Sequence, residues 1–322
     1  MHELIVCRGH GRFHTQVSAQ DIGELREHPE TTLWFDLTRP DAEELRILRE
    51  EFKFHHLSIE DATRHHQRPK VDSYDNYYFV VFYCLDINQQ TYEICTQPLY
   101  LFIGHNFLVT IHDDPIKQIK ETVSRWQSPD SPLEQDVGSL VYALLDAIVD
   151  DYFPVMDQIA DRVEDLEEQI FGKFDEGALE SIFRLKKDLL SVRRVVTPER
   201  DVLNVMLRRD IPVFDQDDVT YLQDVYDHII RVVDSIDTYR DLLSSSLDTF
   251  LSVQSNQLNQ VVKALTITSI VLMSVAIVSG VYGMNFEYMP ELHWRYGYLW
   301  ALGLMAAIAL GLIGFFRRIK WL

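Results

Sequence analysis

Between the two longest uncharged apolar runs of this chain stands Tyr282-Gly283-Met284-Asn285, a short insertion that ends in a neutral amide. An amide carbonyl accepts hydrogen bonds from the water around a hydrated ion without the grip of a full negative charge. That suits Mg²⁺, which gives up its water reluctantly. The competing reading is structural, because Gly and Asn are the residues that best end a helix in left-handed geometry.

Upstream, Asn259, Val262, Thr266, Ser269, Met273, Ala276, Gly280 and Gly283 recur at spacings of three and four, which on a helix puts them on one face. The face is mostly small or polar, while the rest of the run is Leu, Ile and Val. A narrow pore needs such a face, since it must offer oxygens without holding the ion too tightly. Close helix packing is the alternative, because Ala276 and Gly280 form a small-xxx-small pair. Neither apolar run contains an acid, so selection by charged groups inside a membrane is disfavoured.

Other constellations compete for attention. His55-His56, Glu60-Asp61 and His65-His66 have the composition of a soft-metal or hydrolase site, with His56 and Glu60, and Asp61 and His65, four apart. The plainer reading is a polar helix whose side chains are solvated or paired. Asp157, Asp161, Glu164, Asp165, Glu167 and Glu168 read as a solvated helix face that also draws cations. Glu287 and Glu291, between the apolar runs, would enrich cations at an entrance. No phosphate-cradling glycine loop or nucleophile elbow is present, so no nucleotide coupling is expected.

The elements that must position these residues are of two kinds. Formal charge is −20, but residues 261–322 contain only Lys263, Arg295, Arg317, Arg318 and Lys320 against Glu287 and Glu291. Residues 1–260 therefore hold 25 of the 30 basic and 48 of the 50 acidic side chains, a net of −23. Such a surface repels nucleic acid and concentrates cations. Cys7, Cys84 and Cys95 form no CxxC pair and suit a reduced compartment. Met1-His2-Glu3-Leu4 lacks the basic and apolar regions of a signal peptide, so the large part is expected in the cytosol.

Ala264–Val281 is 18 residues without a charge, enough at about 1.5 Å per residue to span a bilayer. Tyr296–Phe316 is 21 residues, also uncharged, with Tyr296, Tyr298 and Trp300 as interfacial anchors. Lys263 before the first run and Arg317, Arg318 and Lys320 after the second put both termini in the cytoplasm by the positive-inside rule. Lipid is thus an expected partner, in a multi-pass plasma (inner) membrane protein. Two spans enclose no pore by themselves, so conduction requires an oligomer around an axis.

Thr31–Leu37 reads as a strand, Asp41–Phe52 as a helix, and Tyr77–Asp86, Glu93–Ile103 and Phe107–His112 as strands of an antiparallel or mixed sheet. Helical spacing then predicts one helix over Gln135–Phe171, a second over Glu176–Leu207 kinked at Pro198, and a third from about Asp217 with no breaker before Gly280. The resulting organisation is a cytosolic α/β domain (1–135), long helices (136–216) and a stalk helix (217–260). A first span (261–282), an outer loop (283–296), a second span (297–316) and a basic tail (317–322) follow.

Tyr282-Gly283-Met284-Asn285-Phe286, followed by Met289-Pro290-Glu291-Leu292 and a basic end Lys320-Trp321-Leu322, closely resembles the CorA magnesium transporters. The resemblance extends to Asp224-Val225-Tyr226-Asp227-His228, Asp150-Asp151-Tyr152-Phe153 and His66-Gln67-Arg68-Pro69-Lys70-Val71. It implies an α+β membrane protein, a funnel-shaped homopentamer passing Mg²⁺ and often Co²⁺ and Ni²⁺, and no enzyme. It implies that Gly283, Met284 and Asn285 form the outer selectivity ring, with Asn259, Met273 and Gly280 along the pore. It also implies that cytosolic Mg²⁺ closes the channel by bridging acids of neighbouring subunits. Asp224 matches one of these, and Asp86 is the candidate partner in the N-terminal domain. Ala276 departs from relatives that place a Thr there. A zinc-transporting branch is the alternative within the class, although its Gly-Met-Asn motif tends to vary. A membrane-anchored metal sensor or hydrolase built on the histidines is the alternative outside it.

Overall fold

The computed structural model describes residues 2–8, 12–14, 21–28, 30–64, 67–88, 93–131, 133–171, 177–208, 211–287 and 289–321. Contacts divide the chain into two compact units, residues 1–246 and 247–322.

In the first unit, β1 (His2–Arg8), β2 (Arg12–His14), α1 (Ile22–Arg26), β3 (Thr31–Thr38), α2 (Ala42–Glu50), α3 (His56–Thr63), β4 (Lys70–Ser73), β5 (Tyr77–Ile87), β6 (Ile94–Gly104) and β7 (Phe107–His112) come first. The strands form one sheet in the order β2-β1-β3-β7-β6-β5-β4. All neighbours are antiparallel except β3 and β7, which run parallel, so the sheet is mixed. Consecutive residues Phe79, Val80, Val81 and Phe82 are all buried, as a strand covered on both faces requires. Phe79, Val81, Phe102 and Val109 join Leu48, Phe52, Phe54 and Ile59 from the α2–α3 region in one apolar cluster. Asp41 starts α2 with a reciprocal capping box, taking the N–H groups of Glu43 and Glu44 while Glu44 takes that of Asp41.

The helices α4 (Lys117–Trp126), α5 (Val137–Asp150), α6 (Tyr152–Phe171) and α7 (Gly177–Arg208) follow, and α5, α6 and α7 pack on β5. The single helix expected over 135–171 is two. Pro154 has no N–H to give and its ring collides with the carbonyl four residues back, at Asp150, where α5 ends. By contrast α7 runs through Pro198 as one helix. The strands β1, β2 and β4 and the helices α1 and α4 are elements that the sequence reading did not name, whereas α3 falls on the polar helix read around His56 and Glu60.

α8 (Gln216–Tyr282) is 67 residues of unbroken helix and belongs to both units. In the first unit Leu222, Val225, Ile229, Val232, Ile236 and Leu243 are fully buried at spacings of three and four. The stripe does not continue at that burial, for Leu258 is 65% exposed. After a 3₁₀ turn at Pro290–His293, α9 (Gly297–Arg318) closes the chain's ordered elements.

One buried carboxyl ties α7 to the sheet. Past the Lys70–Val81 pair β4 ends, and the next outward-facing main chain of β5 on that edge belongs to Tyr83. Its N–H donates to Glu199 Oε1 (2.8 Å), and its carbonyl accepts from the Tyr152 hydroxyl (2.5 Å). That hydroxyl also lies 3.0 Å from Glu199 Oε2. Tyr152 has one hydroxyl hydrogen and the carbonyl claims it, so Glu199 must supply the proton for the second contact. Burial agrees, pushing the Glu199 carboxyl up to about 8 against the lowering effect of the Tyr83 N–H.

A folded state that keeps this proton, against an unfolded carboxyl at its ordinary 4.5, is most stable at low pH and loses that advantage as pH rises through about 8. The melting temperature of the wild-type protein is therefore expected to fall between pH 5 and 8 more steeply than that of Glu199→Gln. The difference corresponds to at most ~1.4 kcal/mol per pH unit for one proton. Parallel melting curves for the two proteins across that range would show that Glu199 is ionised in the fold.

Candidate ion pathway and cation-binding clusters

The membrane-length part of α8 and the whole of α9 are long and apolar enough to cross a bilayer. Burial separates them from core helices of a water-soluble protein. Leu265, Leu272, Ile277 and Leu310 are each more than 60% exposed within the chain. So large an apolar surface needs lipid or another protein copy around it. Lys263 Nζ lies 6.0 Å from the Trp321 ring, which stacks on Phe316, so the basic ends of both helices meet at one level. At the other end Trp294 makes ring contacts with Tyr296 and Trp300, the aromatic belt expected at a membrane surface.

Over the membrane-length part of α8 the buried or half-buried positions, Thr266 apart, are Ile267, Val271, Ser274, Val275, Val278 and Tyr282. At about 100° per residue they share a face, covered by the remainder of the second unit. Asn259, Val262, Thr266, Ser269, Met273, Ala276 and Gly280 fall on the opposite side, all exposed except the half-buried Thr266. A Cβ built on Gly280 would meet nothing within 4 Å. Close packing of Ala276 and Gly280 against another element of the same chain is thus not what these small residues serve. Thr266 gives its hydroxyl hydrogen to the Val262 carbonyl (2.8 Å), leaving oxygen lone pairs facing outward.

Beyond Tyr282 the helix ends without a left-handed cap. Gly283 N–H donates to the carbonyls of Ser279 (3.0 Å) and Gly280 (3.2 Å), and Met284 N–H to Val281 (3.3 Å). Neither Gly283 nor Asn285 adopts the positive φ that would explain Gly and Asn as helix terminators. Asn285 is exposed, and its amide makes no hydrogen bond with any described residue. Glu287 is exposed two residues on, and Glu291 lies within the 3₁₀ turn.

In the first unit, α5 and α8 bring together groups that the sequence reading only half identified. The ligand atoms of Asp146, Asp150 and His228 all lie within 4.8 Å of one another. Asp224, the expected sensor acid, sits one turn before His228, with its carboxylate 3.8 Å from Nε2. His228 Nδ1 lies 3.2 Å from Asp150 but is poorly aligned, and remains a buried nitrogen without a proper hydrogen bond. Desolvation, then the charge of Asp150, raises the Asp146 carboxyl above the usual range; His228 opposes this and Asp224 adds to it. Carboxylates that repel one another in this way are of the kind that a divalent cation can neutralise. The signal in sequence was the pair of four-residue spacings, Asp146–Asp150 and Asp224–His228, whose meeting depends on tertiary packing.

Glu134, Asp136 and Asp215 form a second acidic group near the starts of α5 and α8. Burial pushes neighbouring Asp218 up to about 6. Its carboxylate occupies the place where a side chain at Gly138 would be, which ties α8 to α5 at this end.

Asp86 lies on β5, exposed, its carboxylate accepting from the adjacent Ile87 N–H (2.8 Å). No described contact joins it to Asp224 within one chain. Among the described residues the histidine constellation does not gather its carboxylates into a site. Asp61 is engaged by Lys70 (2.8 Å) and Gln67 (3.2 Å), Glu60 pairs with Arg64, and His55 caps α3 at Leu57 N–H. His65 and His66 lie outside the described residues. Of the acidic run on α6, all but the half-buried Glu167 are exposed, as a solvated face.

The family model for the CorA-like Mg²⁺ transporter protein matches residues 29–318. The chain is 38% identical over 291 residues to the putative metal ion transporter YfjQ of Bacillus subtilis, covering 89% of each. It is 34% identical over 329 residues to the cobalt/magnesium transport protein CorA of Thermotoga maritima, covering 96% of this chain and 93% of that one. In three dimensions it is similar to the complete CorA magnesium transporter of Methanocaldococcus jannaschii, with a TM-score of 0.84, 26% identity, and coverage of 99% and 98%. With an exposed polar stripe and an unbonded amide at the end of the same helix, this chain belongs to the CorA-like Mg²⁺ transporter family.

Proposed function

We propose that this chain forms a homo-oligomeric membrane channel for hydrated divalent cations, Mg²⁺ first and Co²⁺ and Ni²⁺ alongside it, closed by Mg²⁺ on the cytosolic side. The observation that carries the reading is the orientation of the stripe on α8. It faces away from the covered side and has no partner within the chain. Packing several copies about an axis, a pentamer in this reading, would turn these residues inward and give them water and ions as neighbours.

In such a ring each Asn285 contributes a carbonyl oxygen to the outer mouth, where water bound to the ion donates to it. Gly283 and Met284 set the position of the amide, and Glu287 and Glu291 raise the cation concentration nearby. The lumen below is lined by Gly280, Ala276, Met273, Ser269, Thr266, Val262 and Asn259. It carries no charge, so an ion passes without a deep trap. Both termini lie in the cytoplasm, and the membrane potential drives uptake with ~4.6 kcal/mol for a divalent ion at 100 mV. No nucleotide takes part in this cycle.

Closure rests on the acids of the first unit. With Asp224, Asp146 and Asp150 unneutralised, like charges favour separation of the elements that carry them. Cytosolic Mg²⁺ relieves that repulsion, and in this reading it bridges Asp224 to Asp86 of a neighbouring copy.

Flux into liposomes loaded with a Mg²⁺-sensitive dye tests the pathway. Asn285→Ala is expected to lower Mg²⁺ entry at least about tenfold, the loss of ~1.4 kcal/mol of ion stabilisation at the mouth. Entry at the wild-type rate would remove the amide from the filter. Absence of entry for the wild-type protein with Mg²⁺, Co²⁺ and Ni²⁺ alike would overturn the channel itself.

The sensor has a separate readout. Asp224→Ala should leave maximal flux intact while shifting the internal Mg²⁺ needed for half-inhibition upward several-fold, consistent with losing one carboxylate contact worth about 1 kcal/mol. An unchanged inhibition curve would exclude Asp224 from the closing step.

A further inference from the structure

Three arginines gather at one place in a chain whose formal charge is −20. Arg68, just before β4, and Arg193 and Arg194 on α7 line a cleft of about 750 Å³ with Gln67, Tyr83 and Thr197. Its size is that of small-ligand sites, roughly 300–1,000 Å³. No acidic side chain is among its lining residues.

Two of the three arginines have no ion partner among the described residues. Arg193 Nε lies 3.1 Å from Asp237 Oδ1, yet both atoms are buried without a well-formed hydrogen bond, so the pair is misaligned. Arg68 and Arg194 are exposed and make no ion pair with any described residue.

Thr197 supplies an independent observation. Thr122, Thr220, Thr238, Thr266 and Thr268 each donate to the carbonyl four residues back. Thr197, also inside a helix, does not. Its Oγ1 is buried and has no hydrogen-bond partner. A buried hydroxyl in this state calls for a ligand or an ordered water.

We propose that this cleft binds a phosphoryl-type oxyanion, with the guanidinium groups of Arg68, Arg193 and Arg194 on its oxygens and the Thr197 hydroxyl as a further donor. Guanidinium forks match phosphate oxygens two at a time, which a single carboxylate could satisfy for only one of the three. The site shares no residue with the α8 stripe or with the Asp146–His228 cluster, and does not depend on ion conduction. It touches the sheet through Tyr83, whose hydroxyl donates to the Gln67 carbonyl (2.5 Å) and whose main chain is held by Glu199 and Tyr152. An anion seated there braces the 67–69 segment against α7.

Calorimetric titration of the purified full-length protein in detergent tests this, with divalent cations removed by chelator and chloride holding ionic strength constant. Inorganic phosphate, pyrophosphate and ATP are titrated separately. Saturable binding of at least one is expected, and the tightest identifies whether a free ion, a diphosphate or a nucleotide is the natural source. The double variant Arg68→Glu/Arg194→Glu should weaken that binding at least about tenfold. Arg194→Lys keeps the charge but loses the fork, and should weaken it several-fold; it carries the test if the double variant does not fold. Absence of saturable binding for all three anions overturns the proposal. So does binding of wild-type strength in both variants.

Discussion

The structure depends on one constraint: α8 is a single helix whose two halves require different surroundings. Over its first thirty residues it buries a stripe of Leu, Val and Ile in the first unit. Over its last twenty it exposes Leu and Ile on several sides, together with a polar stripe that the described residues of the second unit leave uncovered. No single solvent satisfies both the apolar flanks and the polar stripe of that second half. Lipid suits the flanks and leaves the hydroxyls and amides unsatisfied, whereas water does the reverse. The proposed ring of copies, with lipid outside and a wet axis inside, would resolve the conflict.

Electrostatics follow from the same division. The acidic side chains are confined almost wholly to residues 1–260, and the helical segments that meet lipid contain none. Clusters such as Asp146, Asp150 and His228 are therefore free to be strongly negative without placing charge inside a bilayer, where it would be costly. The exceptions within the acidic unit are informative for the opposite reason. Glu199 escapes the like-charge problem by keeping its proton, and serves as a hydrogen-bonding extension of the sheet where β4 stops. Arg68, Arg193 and Arg194 are a local excess of the minority charge, and among the described residues only Arg193 has an acid, Asp237, paired with it.

Much of this was legible in the sequence wherever a period and a composition agreed. The strands at 77–86, 93–103 and 107–112, the uninterrupted α8, the two membrane-length helices and the stripe from Asn259 to Gly280 all follow from spacing. What was not legible depended on tertiary contact. Asp150 and His228 are 78 positions apart in sequence, and only the packing of α5 on α8 makes them neighbours. Glu199 reads as an ordinary polar position of α7 until Tyr83 and Tyr152 surround it. The break between α5 and α6 was available in principle from Pro154, whose effect falls four residues upstream rather than at the proline itself. For His55 and His56 the composition suggested metal chemistry, and the ion pairs of Asp61 and Glu60 removed the carboxylates such a site needs.

The turn after Tyr282 illustrates how geometry removes one of two readings that composition leaves level. Gly and Asn at a helix end suit a left-handed cap as well as they suit an ion filter. Once the backbone is seen to close the helix through ordinary bonds from Gly283 and Met284, with no left-handed residue, the cap no longer accounts for the amide at 285. An exposed, unbonded amide at the end of a polar stripe then has to be explained by what lies outside the chain. In the proposed channel a carboxylate there would bind a divalent ion more strongly but would also tend to strip and retain it, slowing release into an uncharged lumen. A neutral oxygen avoids that trap, and Ala276 lower on the same face keeps to the same logic by offering no further ligand between Met273 and Gly280.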